Sequence, residues 1–181
     1  MSHFVSDRER RLWTWVLVVV VGIVSTLGLA RTLSGFLRET GLLGAAFAFG
    51  MLLVAAAIVA NALKARPGGV EIGIGLGVAA VYLLVLVRMA NPVERTHLIE
   101  YGVVALLIRE ALSERARHRR VVAPQLLAVL TASVIGTLDE CIQAFLPSRV
   151  FDPRDLLFNV LASVMAVVAS AALGWARRRK L

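Results

Sequence analysis

The chain is 181 residues long, 59% hydrophobic and 18% charged, with a mean hydropathy of +0.79 and a net charge of +8. That apolar load exceeds what a soluble domain carries and suits a protein of the bilayer. The positive charge falls in short clusters between apolar runs, which argues against a nucleic-acid partner, and one cysteine, Cys141, excludes an internal disulfide.

Six membrane-spanning helices are expected, since each span needs roughly 20 apolar residues. The first covers about 12–30. It ends in Gly28-Leu29-Ala30, which resembles a signal-peptide cleavage site, but its apolar length favours a retained anchor. The second span, 42–63, is divided from the third, 70–87, by Pro67-Gly68-Gly69. Gly73, Gly75 and Gly77 lie inside the third span with no preceding strand, so close helix packing is expected of them rather than a phosphate loop.

The fourth span, 92–112, opens on Asn91-Pro92-Val93-Glu94: an N-cap, a proline at the first helical position and an acid at the third. The fifth, 124–146, is closed by Leu146-Pro147-Ser148, and Cys141 inside it reads as a core filler. The sixth, 153–176, opens on Asp152-Pro153-Arg154-Asp155. The expected fold class is therefore all-α, a polytopic helix bundle forming one membrane domain. Residues 1–90 carry no diagnostic motif, 91–176 carry the polar residues, and 177–181 form a basic tail.

Lysine and arginine asymmetry orients the bundle. Fourteen basic residues fall on the side holding both termini, among them Arg8, Arg115, Arg117 and Arg177, against six on the other. Both termini are thus expected in the cytoplasm, with the loops at 31–41, 88–91 and 147–152 facing outward. The basic cytoplasmic loops suit anionic inner-leaflet lipid.

Within this topology, polar residues from the last three spans converge near the outer surface. Carboxylates at membrane depth cost about 2.5–3.5 kcal/mol on insertion scales, so they face a bundle interior or a wet cavity. Glu94, His97 and Tyr101 form one stripe, with Glu100 beside it; Asp139 and Glu140 lie one turn before Gln143; Asp155 and Asn159 are four apart. By helical rise, His97 and Glu100 lie roughly 8 and 12 Å past Pro92, and Asp139 roughly 10 Å before Leu146. Plainer roles exist for some of them. Asp152 and Asp155 suit helix starts, Glu94 suits a cap, Gln143 and Asn159 suit interhelical hydrogen bonds, and Glu100 and Asp139 suit pairing with nearby arginines.

His97, Glu100, Asp139 and Glu140 are the expected catalytic residues, with His97 or Glu100 as general acid or base. Tyr101, Gln143, Arg149, Arg154 and Asn159 are expected to bind substrate, the arginines taking an anionic group. Asp139, Glu140 and Asp155 offer oxygen ligands for a divalent cation, which suit Mg²⁺, Mn²⁺ or Ca²⁺ better than Zn²⁺.

The string Glu94-Arg95-Thr96-His97-Leu98-Ile99-Glu100-Tyr101-Gly102 resembles the first signature of VanZ-like membrane proteins. Gly136, Asp139-Glu140, Gln143 and Pro147-Ser148-Arg149 are similar to the second, and Asp152-Pro153-Arg154-Asp155 with Asn159 to the third. Ser148 departs from the family's usual glycine, and Leu161-Ala162-Ser163 lacks the glycine that often follows the asparagine. The resemblance covers about residues 90–175. It implies a multi-pass protein of the bacterial inner membrane and cell envelope, in a family whose name-giving member is associated with teicoplanin resistance. The expected partner is membrane lipid or a lipid-linked precursor. Chemistry on its headgroup, simple binding or shielding, and proton or ion translocation all stay open as activities.

Overall fold

The computed structural model describes residues 4–64, 66–89, 92–145 and 153–179, and all secondary structure among them is helical. In chain order the helices are α1 (Asp7–Glu39), α2 (Leu43–Lys64), α3 (Gly69–Arg88), α4 (Pro92–Ala116), α5 (Pro124–Ala144) and α6 (Pro153–Arg178). Three of them, α3, α5 and α6, are long and apolar enough to cross a bilayer. Their exteriors match that length: Leu76, Val81 and Leu84 on α3, Leu130 and Leu138 on α5, and Val164 and Val168 on α6 are all exposed. Apolar surface on this scale is stable only against lipid or another apolar partner.

Prolines start α4, α5 and α6, where the missing N–H costs nothing. At α3 the Glu71 carboxylate accepts from the Gly68 backbone N–H at 2.8 Å, the return half of a capping box, and pairs with Arg177 at 3.1 Å. The expected loop at 31–41 is instead mostly helix, because α1 continues to Glu39. It stops where Gly41 takes φ +71° and the Leu42 N–H reaches back to the Leu37 carbonyl at 2.8 Å. That bond pattern is the Schellman motif, and only a residue without Cβ enters it freely.

The chain packs as two units: Met1–Ser25 with Val93–Ser170, and Thr26–Pro92 with Ala171–Leu181. In the second, no residue of α3 is buried, and a Cβ added at Gly73, Gly75 or Gly77 would meet nothing within 4 Å. The close packing expected there is absent among the described residues.

The first unit contains the polar residues and owes its geometry to small side chains. On α4, Leu98, Tyr101, Ala105 and Ile108 bury one stripe at helical spacing. On α5 the buried face steps from Ala128 to Ala132 to Gly136, then turns polar at Asp139, Glu140 and Gln143. On α6 Asn159 and Ser163 precede buried Ala166 and Val167. Polar residues thus sit at the start of α4 and α6 and at the end of α5, and an antiparallel α5 brings those ends together. Gly102 and Ala166 mark the α4–α6 approach, where a Cβ on Gly102 would lie 3.7 Å from the Ala166 Cβ. Cys141, expected in the core, is exposed on the outer face of α5.

The opposite end of this unit is tied by charge. Glu9, ahead of the apolar run of α1, has no exposed surface; it accepts from Arg115 Nε at 2.6 Å and the Val5 N–H at 2.8 Å. Ser6 caps the Glu9 N–H at 3.1 Å and donates to Glu114 at 3.2 Å. Burial alone pushes the Glu9 carboxyl up, but the Val5 N–H and the Arg115 guanidinium together outweigh it and hold it below the ordinary 4.5. A depressed carboxyl stabilises the fold above its unfolded value and loses that contribution as pH falls through its folded value. Thermal melts of the detergent-solubilised protein should therefore weaken below about pH 4.5. Glu9→Gln should cost about 1–3 kcal/mol at neutral pH and flatten that acid limb.

Candidate functional site

Three helices of the first unit deliver the site. His97, Glu100 and Tyr101 come from α4, Asp139, Glu140 and Gln143 from α5, and Asp155 and Asn159 from α6. His97, Glu140, Asn159 and Gln143 are each at most 4% exposed, and Asp139 is 3% exposed. Buried polar groups on this scale require partners.

Asn159 is the hub. Its Nδ2 donates to the Gly136 carbonyl at 3.3 Å, and its Oδ1 lies 3.1 Å from His97 Nδ1. The carbonyl can only accept, which turns Oδ1 toward the histidine. In the neutral ring the proton therefore sits on Nδ1, leaving the lone pair on Nε2. Ser163 steadies the same turn by donating to the Asn159 carbonyl at 2.9 Å. Gly136 makes the approach feasible, since a Cβ there would stand 2.8 Å from the Asn159 Cβ.

Gln143 organises the adjacent acids. Its Nε2 donates to Asp139 Oδ2 at 3.0 Å and to Glu140 Oε1 at 3.3 Å. Glu140 Oε1 also lies 3.9 Å from His97 Nδ1. Tyr101 stacks on His97 with ring centroids 6.0 Å apart and planes at 18°. The Tyr101 hydroxyl feels the charges of Asp139, Glu100 and Glu140. Among the described residues neither that hydroxyl nor Asp139 Oδ1 has a hydrogen-bond partner, although both are buried.

One ligand atom each from His97, Glu140 and Asp155 lies within 4.8 Å of the others. Of the expected oxygen ligands, Glu140 and Asp155 are in this group, together with His97; Asp139 turns toward Gln143 and Tyr101. Glu100 is half-buried, and Arg154 is exposed at the start of α6. Arg149 and Asp152 lie outside the described residues, as does the side chain of Glu94. Sequence reasoning missed Ser163 and the steric demand at Gly136; the four-residue stripe Ala128–Ala132–Gly136 was the available signal.

No family model, curated protein or solved structure matches the chain.

The Asn159 contact gives a paired test. Gly136→Ala forces α5 from Asn159 and should cost about 1–3 kcal/mol, whereas Gly102→Ala, whose Cβ would meet Ala166 at an ordinary 3.7 Å, should cost less. Thermal melts of both variants in one detergent compare them. Equal losses would contradict the assigned close approach.

Proposed function

We propose that the protein is a six-span inner-membrane bundle of the VanZ-like type, with both termini cytoplasmic, that handles an anionic, lipid-linked headgroup of the cell envelope from the outer side. The observation that carries this reading is the meeting of His97, Glu140 and Asp155 within 4.8 Å, inside helices whose outer faces are apolar. Acids and an imidazole are costly at that depth and are kept there by function. The partnerless Tyr101 hydroxyl and Asp139 Oδ1 supply one donor and one acceptor for an incoming polar group.

In this reading Arg149 and Arg154 hold the anionic group, a task suited to a planar guanidinium. His97 through Nε2, or Glu100 beside it, moves the proton, and Asn159 keeps the imidazole in the required tautomer. Gln143 fixes the acids at the pocket wall. A binding-only reading uses the same groups without a proton transfer. It is favoured by Tyr101 and Asp139, whose hydroxyl and Oδ1 offer hydrogen bonds to an incoming group.

Reconstituted protein incubated with bacterial membrane lipid extract should convert an envelope lipid to a product of different mass. Glu140→Gln and His97→Ala should lower that conversion by about 10²-fold or more. Saturable lipid binding without any mass change would establish the binding-only reading. Absence of both binding and conversion would overturn the proposal.

A further inference from the structure

We propose that His97, Glu140 and Asp155 form the binding site of one divalent transition cation. The inference rests on reading this cluster as a functional site, but not on the identity of its substrate. Three different helices contribute one donor each, and two of the three side chains are almost fully enclosed. Three atoms no more than 4.8 Å apart have a common centre within about 2.8 Å of each. Nitrogen and carboxylate bonds to such cations are roughly 2.0–2.2 Å. Rotamer adjustments of well under an ångström would close the difference.

The surroundings carry the argument further. Glu140 and Asp155 bring two carboxylates to the group, and carboxylate oxygen is a ligand that divalent cations take. Asn159 Oδ1 lies 3.1 Å from His97 Nδ1 and Glu140 Oε1 lies 3.9 Å from the same nitrogen, so the ring is held against the cluster by an amide neighbour of the kind that orients ligating histidines. Glu140 is likewise held in orientation by Gln143 Nε2 at 3.3 Å. Asp139 Oδ1 and the Tyr101 hydroxyl are buried and, among the described residues, without hydrogen-bond partners; Tyr101 stacks on His97 and Asp139 shares Gln143 with Glu140, so both atoms would receive a cation-bound water or substrate oxygen. One imidazole with two carboxylates is a mixed nitrogen and oxygen set. That set favours Mn²⁺, Fe²⁺ or Zn²⁺ over Mg²⁺ and Ca²⁺, which prefer oxygen alone.

The test uses full-length protein purified through a tag without histidine and titrated with Mn²⁺ in detergent. Replacing His3 and His118 with Gln leaves His97 as the only imidazole of the chain's three. The expected result is saturable uptake of about one equivalent, with nitrogen coupling to the bound Mn²⁺ in pulsed electron paramagnetic resonance. Glu140→Gln and Asp155→Asn should weaken uptake at least about tenfold, while Glu39→Gln, an exposed acid at the end of α1, leaves it unchanged. Absent uptake, uptake without nitrogen coupling, or equal uptake in both carboxylate variants would overturn the site. Should a carboxylate variant fail to fold, the nitrogen coupling in the histidine-depleted background still decides. A protein that binds Mn²⁺ yet neither binds nor alters lipid would sink the proposed function and leave the cation site standing.

Discussion

Asn159 donates to the Gly136 carbonyl and accepts from His97 Nδ1, so a single amide links α6 to α5 and to α4. In an aqueous core such a residue would contribute little net stability, because water competes for both bonds. Between helices in lipid the alternative is an unsatisfied amide, and the bonds specify register instead. Gly136 is the steric condition for this: any side chain there would displace Asn159, and with it the partner that fixes the imidazole tautomer. The polar site is thus a consequence of helix packing rather than an addition to it.

Charge is distributed in the same economical way at the two ends of this unit. One end gathers Asp139, Glu140 and His97 with amides as their neighbours, and among the described residues leaves the Tyr101 hydroxyl and Asp139 Oδ1 without hydrogen bonds. The other satisfies every contact around Glu9, with Arg115, Val5 and Ser6 closing on it. Full satisfaction suits a structural latch; incomplete satisfaction suits a place where something arrives. This contrast separates the candidate site from the ion pairs better than burial does, because Glu9 is as covered as Glu140.

Much of the helical layout was legible in the sequence. Pro92, Pro124 and Pro153 start helices at the expected positions, since proline at the first turn leaves a local and strong signal. His97, Asp139 and Glu140 stood out because charged groups in apolar runs demand a reason. Other features depended on contacts distant in the chain. Asp139 and Glu140 point about 100° apart on α5, and nothing in their spacing tells which faces His97. The Glu9–Arg115 pair joins residues 106 apart. The stretch 31–41 reads as a loop because it lies between the first two apolar runs, yet polar residues are compatible with helix, and α1 ends only where Gly41 turns left-handed. Cys141 was assigned to the core on composition, although its position falls off the face carrying Glu140 and Gln143.

The convergence of α4 and α6 is open to direct measurement. A Cβ on Gly102 would lie 3.7 Å from the Ala166 Cβ, close to the roughly 3.8 Å of a disulfide. With Cys141 changed to Ser, the double variant Gly102→Cys and Ala166→Cys should oxidise in membranes to one intrachain bridge. Trypsin cleavage in the basic stretch around Arg119 would then leave the two fragments joined until reductant is added. Fragments that separate without reductant, after complete oxidation, would mean that these helices do not meet and that the polar cluster does not exist as described.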